Sequence, residues 1–555
     1  MRVSSIYLSV LTSVFLDTMP SLRFSALALV TSSLVLGSPV ASDGFGPTLD
    51  SARKNGPQIF NALHNAMREF GSALHHNGMS LFPAVIPEGV TLYHGAESKE
   101  VPKKPDWLAF EIEHAEAFAR SWGIPRNDTD GNHRPHPLEF VFHAQVDDGD
   151  EPPPPRYPPF PSKPGHLHVY QAQRPLNVLY IDGISAGKTD MGTVDTQDIL
   201  LLNHRNRIPW DDFGRADELC SLAEKWGIDG FIRMEPGFEV IYCDFTNGLR
   251  QLSATRRPEN DDPGNVNSTA ISMFEWARAA SQRYQGIGSS RVLLDYSCML
   301  SAFFYPINMA NPDPERPELP RLVGASDEEL RVMREHITDS VARSLSHKQM
   351  PLNWQGVTDM ITTRYASRLP LITQAKSIDV LRDEVNHLLN THIDYSEDDE
   401  GFSAAQQRCT EFYLQPVQAR TPEDKLIYAA IESTAAAICA ALFAARKIVV
   451  EDSEDESAAF SAAKDVIVDL TETLSWSEWK ECGKCQPDEV CFIAMWPMGD
   501  VEDHYNPSCL NYSVIVTRHN YWRSPGKTPG HRPPPAACAD GKSCPDDKAL
   551  GNEEL

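Results

Sequence analysis

Leu92-Tyr93-His94-Gly95 is the first of three pieces of sequence that decide the fold. It ends a strand-like run that starts at Gly89. The second piece, Trp107-Leu108-Ala109-Phe110, leads into residues 111–119, where small residues recur on one side of a helix. The third is a tight turn, Gly227-Ile228-Asp229-Gly230, which precedes the strand Gly237-Phe238-Glu239-Val240-Ile241. Short strands mixed with few helices predict an α+β domain over residues 89–250.

Two polar groups stand out in these strands. Glu239 places one carboxylate in an apolar run, and His94 is followed at once by a glycine. A carboxylate fixed in a dry site can stabilise a developing positive charge, and glycine permits close approach of the backbone to a ligand. Further strands are predicted at His166–Ala172 and Leu176–Ile181.

In this order the pieces resemble the ADP-ribosyltransferase superfamily, in the branch with a His–aromatic–Glu triad that diphtheria-type toxins share with poly(ADP-ribose) polymerases. The stretch from His168 to Ile181 also resembles the middle strands of that fold. The resemblance covers residues 89–250 only. It implies a multidomain chain: an ADP-ribosyltransferase-like α+β domain, then a mostly α-helical domain over 268–450, then a small disulfide-rich segment.

The resemblance also implies roles for single residues. His94 would contact the adenosine-side ribose of NAD, and the Gly95 backbone would hold the nicotinamide amide. Trp107 or Phe110 would stack on the nicotinamide, and the sequence leaves that choice open. Glu239 would bond the nicotinamide ribose and favour the oxocarbenium-like transition state. NAD is then the expected substrate, and no metal is expected.

The sequence departs from the family in two places. Gly237 stands two residues before Glu239, where arginine-modifying members carry a second acid. The segment Trp107–Phe110 replaces the usual tyrosine or Ser/Thr-containing stretch. A fold that has lost its activity is therefore an open alternative.

Three hypotheses follow. The first is a secreted mono-ADP-ribosyltransferase or NAD glycohydrolase, for which an effector role is one option. Its acceptor would be an unidentified protein or small molecule. The second is a catalytically inactive secreted interaction protein that retains the fold. The third is an unrelated secreted protein in which the motif pieces only pack. The first two require His94 and Glu239, which are 145 positions apart, to meet in one cleft.

The remainder of the chain is predicted to be largely helical. An N-terminal helical segment spans 43–88, and residues 268–450 show helical periodicity, with a capping box at Ser326 and Glu329. Leu426–Val450 is apolar enough to raise the alternative of a membrane span. Charged residues interrupt this run, so a buried central helix is the favoured interpretation: Glu432, Arg446, Lys447.

The N-terminus predicts export. Leu22–Gly37 is an apolar run, and Val40-Ala41-Ser42 offers a cleavage site, so residues 1–42 are interpreted as a signal peptide that could also start at Met19. A membrane anchor is the rival interpretation. The formal net charge of −27 argues against a nucleic-acid partner. We therefore expect a secreted, extracellular protein that has no membrane segment after cleavage.

Eleven cysteines fit that compartment. Residues 451–525 are interpreted as an acidic loop with a cysteine-bearing segment, and 526–555 as a disordered tail. Zinc binding by Cys482, Cys485, Cys491 and Cys509 is the alternative to disulfides there. The odd total leaves a free thiol or an intermolecular bond. Three sequons fit surface glycosylation, at Asn127, Asn267 and Asn511.

Overall fold

A computed structural model describes residues 44–121, 163–209, 211–258, 273–288, 290–346, 350–396, 402–450, 455–518 and 520–522. The predicted signal peptide, the predicted tail, and the sequons at Asn127 and Asn267 lie outside the described residues. From Phe45 onward the chain forms one compact unit.

A mixed sheet of ten strands organises the first half of the described chain. Its order is β10-β6-β2-β3-β9-β8-β7-β1-β11, with β12 also paired to β1. Only β7 and β8 are parallel among these pairs. The strands are β1 Ser80–Ile86, β2 Thr91–Ala96, β3 Asp106–Ala109, β6 His166–Ala172, β7 Leu176–Ile181, β8 Gly230–Met234, β9 Phe238–Tyr242, β10 Leu249–Arg256, β11 Leu293–Leu294 and β12 Leu300–Ser301. Two small two-stranded sheets pair β4 Arg120–Ser121 with β5 Lys163–Pro164, and β13 Glu489–Phe492 with β14 Ser508–Asn511.

The predicted mixture of strands and helices, followed by a helical region with disulfides, is confirmed. The structure adds β1, which falls inside the segment 43–88 that sequence analysis interpreted as helical. β1 pairs with β7 on one side and with β11 and β12 on the other. Its run Ser-Leu-Phe-Pro-Ala-Val-Ile is too short and too uniformly apolar for periodicity to distinguish strand from helix.

Helices surround the sheet and form the second half of the chain. Near the sheet lie α1 Leu49–Lys54, α2 Gly56–His64, α3 Glu69–Leu74, α4 Ile112–Ala117, α5 Asp212–Trp226 and α6 Met273–Ser281, with a π-helix at Thr196–Leu201. The helical region contains α7 Asp327–Ser346, α8 Trp354–Tyr365, α9 Arg368–Thr373, α10 Ile378–Leu389, α11 Phe402–Glu411, α12 Pro422–Val450 and α13 Glu456–Leu474. Two short helices follow, α14 Val501–Tyr505 and α15 Tyr512–Ile515. Single 3-10 turns lie at Tyr296–Cys298, Ala302–Phe304, Asn390–His392 and Ser477–Trp479.

The long helix α12 is the centre of the helical region. It contacts α1, α2, α10, α11 and α13. Among the described residues, α12 is also long enough and apolar enough to cross a membrane. Its most apolar window is 61% buried inside the protein. That burial supports the interpretation of a central core helix, since a helix that is apolar on most sides needs packing partners around it.

Four disulfides join the described cysteines. They link Cys220 to Cys243, Cys409 to Cys439, Cys482 to Cys491, and Cys485 to Cys509. The sulfur atoms of Cys482, Cys485 and Cys509 lie within 4.8 Å of one another, as the zinc alternative would require, but the structure pairs them as disulfides. Cys298 is buried and forms no disulfide with another described cysteine, and Cys538 and Cys544 lie outside the described residues.

Candidate functional site

The three motif pieces do become neighbours in the sheet. Strand β2 pairs with β3 through Tyr93 and Ala109, and β3 pairs with β9 through Ala109 and Glu239. Residues directly opposite on paired strands share a face, and successive residues along a strand alternate between faces. Glu239 therefore lies on the face of Tyr93, and His94 points to the other face.

The partners of His94 agree with that assignment. Its Nδ1 donates to the backbone carbonyl of Trp107 at 2.7 Å, and its ring lies 5.3 Å from the rings of both His168 and Phe245. Asp106 is 4.0 Å from Nε2. The side chain is buried, so His94 packs within an aromatic layer.

Glu239 has a separate set of partners. Its Oε1 accepts from Arg233 Nε at 3.0 Å and Nη2 at 2.6 Å, and His114 Nε2 lies 3.6 Å from its Oε2. Burial alone would raise the pKa of this carboxyl, but Arg233 and then His114 lower it to about 2. The predicted convergence of His94 and Glu239 in one cleft is therefore wrong: the side chains leave opposite faces of the sheet and contact different groups.

The other predicted site residues also serve packing. A Cβ on Gly95 would lie 2.1 Å from the carbonyl oxygen of Ala115, so β2 touches helix α4 where the nicotinamide amide was expected. The Trp107 ring meets Phe213 edge-on at 4.8 Å. Phe110 is buried, with the Arg291 guanidinium 5.2 Å from its ring centre. NAD use stays a prediction, and these contacts do not supply the pocket that it needs.

Glu239 belongs to a buried ionic cluster with four cations and four carboxylates: Lys188, Arg207, Arg215, Arg233, Asp198, Asp212, Glu235 and Glu239. Each member is at most 9% exposed. Asp212, at the start of α5, forms ion pairs with three cations. Its carboxylate oxygens lie 3.0 Å from nitrogens of Arg215 and Arg233 and 3.2 Å from Lys188 Nζ. Each cation in the cluster lies beside at least one carboxylate, and this pairing explains how the interior tolerates the cluster, since unpaired buried charge is expensive.

Two other acids are buried nearby without hydrogen-bond partners among the described residues, Glu69 and Glu111. Burial raises the pKa of Glu111 to about 7, and burial followed by the charge of Glu111 raises that of Glu69. Glu111 and His114 both lie close to the turn at Gly237. A Cβ on this glycine would be 3.0 Å from Glu111 Oε2 and 3.1 Å from His114 Nδ1. Both acids are fully buried and face no solvent.

An open cleft of about 510 Å³ lies elsewhere, between the N-terminal helices and the helical region. At its base His64, the last residue of α2, donates from Nδ1 to Asp359 Oδ1 at 2.9 Å and from Nε2 to Glu478 Oε1 at 2.5 Å. Arg68 donates from Nη1 and Nη2 to the two oxygens of Asp359 at 2.9 and 2.7 Å. The lining comprises His64, Arg68, Gln285, Asp359, Thr362, Thr363, Ala366, Ser367 and Glu478.

The electrostatics of this cleft favour a charged imidazolium. Burial lowers the pKa of His64, but the hydrogen bonds to Asp359 and Glu478 outweigh it and raise the pKa above the usual value. Burial likewise opposes ionisation of both carboxyls, yet His64 lowers the pKa of each. The arrangement is a fixed Asp–His–Glu row that remains open to solvent on one side.

This cleft could not be predicted from the sequence. His64 and Arg68 are four residues apart, but Asp359 and Glu478 lie 295 and 414 positions beyond His64. The only local signal is the pairing of two basic side chains one helical turn apart, which is common on exposed surfaces.

Comparisons with known proteins find one family model that is similar to the sheet region. Residues 48–268 match the family model described as the YPL277C N-terminal domain, a range that contains α1 to α5 and β1 to β10. The Saccharomyces cerevisiae protein YOR389W is 27% identical over 588 aligned residues, which cover 84% of this chain and 89% of that protein. YPL277C of the same yeast is 37% identical over 215 residues, covering 35% of this chain and 41% of that protein. No solved structure matches. The chain is therefore similar to YOR389W over most of its length, and its sheet region is similar to the N-terminal domain of YPL277C.

Proposed function

We propose that this chain is a secreted binding protein whose ligand site is the His64 cleft, and that its sheet region has no NAD chemistry. One observation carries the proposal. The carboxylate predicted to be catalytic is closed off by Arg233 inside the protein, whereas the Asp359–His64–Glu478 row is held rigidly at an open surface.

The state of Glu239 argues against catalysis. Stabilising an oxocarbenium-like transition state requires a carboxylate directed at the sugar, with its charge available there. Glu239 is 2% exposed, and both Arg233 contacts fall on a single oxygen. NAD would have to displace a buried ion pair to reach it, and breaking such pairs is strongly unfavourable.

The cleft has the properties that Glu239 lacks. Its volume is within the range of small-molecule sites. Each charged group at its base is held by at least one hydrogen bond, so a ligand would meet a site that is already ordered. Four separate parts of the chain converge there: α2 with the residues after it, Gln285 after α6, α8 with the residues after it, and the turn Ser477–Trp479.

Secretion is supported by the cysteines. Eight of the eleven are paired in the described structure, and such bonds persist in oxidising compartments. The net charge of −27 fits a soluble extracellular surface.

The test uses the full chain produced through a secretory pathway. Purified protein is incubated with NAD, and free nicotinamide is measured beside Glu239→Gln. In parallel, a thermal-shift screen covers neutral sugars, amines and small anions, with Asp359→Asn as the cleft variant. We expect no nicotinamide release, and stabilisation by at least one compound that Asp359→Asn abolishes. Nicotinamide release that Glu239→Gln removes would overturn the proposal.

A further inference from the structure

We propose that the four-cysteine cluster, which consists of Cys482, Cys485, Cys491 and Cys509, is a thiol–disulfide exchange site. Its two disulfides exchange with a small monothiol and pass into a second pairing, Cys482–Cys485 with Cys491–Cys509. This site lies outside the lining of the His64 cleft, and the proposal does not depend on the proposed function. It rests on where the structure places the four cysteines, in and beside the hairpin of β13 and β14.

The positions of the sulfur atoms allow one bond of the second pairing. The structure joins Cys482 to Cys491 and Cys485 to Cys509. Even so, the Sγ atoms of Cys482, Cys485 and Cys509 all lie within 4.8 Å of one another. Cys482 and Cys485 are two residues apart in the segment before β13, outside any helix or strand. A bond between these two residues can therefore form without moving a strand.

The strand register allows the other bond. Cys491 and Cys509 lie directly opposite each other on the antiparallel strands β13 and β14, so their side chains share a face. The Cα atoms of opposite residues are about 4.5–5.5 Å apart, which falls within the range of about 4.4–6.8 Å that disulfides span. The third possible pairing lacks this support, because Cys485 and Cys491 are not opposite in the register and do not both belong to the group of close sulfur atoms.

Exposure distinguishes the four-cysteine cluster from the other disulfides of the described chain. All four of its cysteines are partly exposed, so a small thiol in solution can reach them. Cys409 and Cys439, which join α11 to α12, are each 1% exposed, and Cys220 is 9% exposed. Exchange requires a thiolate to reach a sulfur atom of the disulfide, so exposed disulfides are the ones that react. We therefore expect exchange in the cluster while the Cys409–Cys439 bond persists.

The exchange has three steps and needs no oxidant or reductant. The thiolate of the small thiol attacks Cys509, forms a mixed disulfide with it and releases the Cys485 thiolate. Cys485 attacks Cys482 and forms the Cys482–Cys485 bond, which releases the Cys491 thiolate. Cys491 then attacks Cys509 and expels the small thiolate. Two protein disulfides and one free thiolate are present before and after, so the small thiol acts as a catalyst. The result releases the segment before β13 from both strands, to which the present bonds tie it.

The experiment maps disulfides in the full secreted chain, incubated without denaturant with a catalytic amount of reduced glutathione. Free thiols are then blocked with N-ethylmaleimide, and the disulfide-linked peptides are identified by mass spectrometry. Trypsin and Glu-C together cut between all neighbouring cysteines of the cluster, after Lys484, Glu489 and Glu502.

Double variants isolate each bond of the second pairing. Cys491→Ser with Cys509→Ser leaves only Cys482 and Cys485 in the cluster. Cys482→Ser with Cys485→Ser leaves only Cys491 and Cys509. Cys482→Ser with Cys509→Ser is the matched control, because it leaves Cys485 and Cys491, which the second pairing does not join.

We expect the second pairing to accumulate with glutathione, at a rate at least about tenfold above that of Cys409–Cys439 opening. The first two double variants should each close their remaining bond, whereas the control keeps two free thiols. Persistence of the present pairing alone in the wild-type chain would overturn the proposal. Similar amounts of all three pairings would also overturn it, because they would indicate random exchange in an unfolded hairpin. If a double variant fails to fold, the wild-type mapping decides the outcome.

Discussion

Arg233 and Glu239 lie directly opposite each other on the antiparallel strands β8 and β9, and the guanidinium places two nitrogens on one carboxylate oxygen. This pair links the sheet to the buried ionic cluster, because Arg233 also contacts Asp212. Glu239 is therefore a member of a paired network of interior charges. Its position in an apolar strand has a structural reason that does not involve a substrate.

Removing the charge of Glu239 is expected to destabilise the fold. Glu239→Gln leaves a cation in excess inside the protein, and breaking a buried pair in this way costs about 3–5 kcal/mol. The free energy of unfolding in urea measures the loss. Glu335→Gln is the control, since it breaks an exposed pair with Arg331 on α7 and should leave the unfolding midpoint unchanged. Equal midpoints for Glu239→Gln and wild type would show that the cluster does not stabilise the fold.

Gly95→Ala tests the close packing of β2 against α4. The new methyl group would lie 2.1 Å from the carbonyl oxygen of Ala115, so the helix or strand must shift, and overpacking of this kind costs about 1–3 kcal/mol. Thermal unfolding of the variant should show a lower Tm. Gly483→Ala is the matched control, because nothing lies within 4 Å of the added methyl group there. An unchanged Tm in Gly95→Ala would mean that the backbone contact is loose and that space exists at this strand end.

The strands of the motif pieces could be predicted from sequence, but the faces of their side chains could not. The prediction placed strands near His94, Trp107 and Glu239, and all three exist and are adjacent. Which face each side chain occupies depends on the pairing of Tyr93 with Ala109 and of Ala109 with Glu239. A shift of one residue in either pairing would reverse the result, and local sequence carries no information on such a long-range register.

The helical region could likewise be predicted from the sequence, whereas the cleft could not. Periodicity predicted long helices such as α7 and α12, because their apolar faces repeat within the helix itself. The cleft forms from residues hundreds of positions apart, and each of them alone resembles an ordinary surface charge. Only the packing of α2 against α8 brings His64 to Asp359.

Stability should fall as the pH rises through the range in which Glu111 ionises. Its pKa is raised from 4.5 to about 7 in the folded protein by burial, so the folded state holds the proton more tightly than the unfolded chain. The contribution is complete below about pH 4.5 and is lost by about pH 7, and it amounts to about 3 kcal/mol. Glu111→Gln should flatten the pH dependence of unfolding in this window. Glu113→Gln, in the first turn of α4 and only partly buried, should keep the wild-type slope. A wild-type slope in Glu111→Gln would contradict the assignment.

His76 predicts a loss of stability on the acid side. The ring lies 5.1 Å from the rings of both His504 and Trp522, and Tyr521 stacks on His504 at 4.6 Å. Burial, and then the charge of Arg316, lowers the pKa of His76 from 6.5 to about 3. The unfolded chain therefore takes up a proton at a pH where the folded state does not, so stability is full above about pH 6.5 and declines as the pH falls towards 3.

The size of that loss is about 5 kcal/mol for His76 alone, because one pKa unit corresponds to about 1.4 kcal/mol. His504 adds to it in the same direction, since burial and the nearby His76 and Arg316 lower its pKa as well. His76→Leu removes the titrating group and keeps the site apolar, so its Tm should fall less than that of wild type between pH 6.5 and 4. His166→Leu is the control, because His166 lies at the partly exposed start of β6, where its Nδ1 donates to the Glu97 carbonyl. If both variants follow the wild-type curve, protonation of another group starts acid unfolding. The packing of Tyr521 and Trp522 against the two histidines would then not determine the lowest pH at which the protein stays folded.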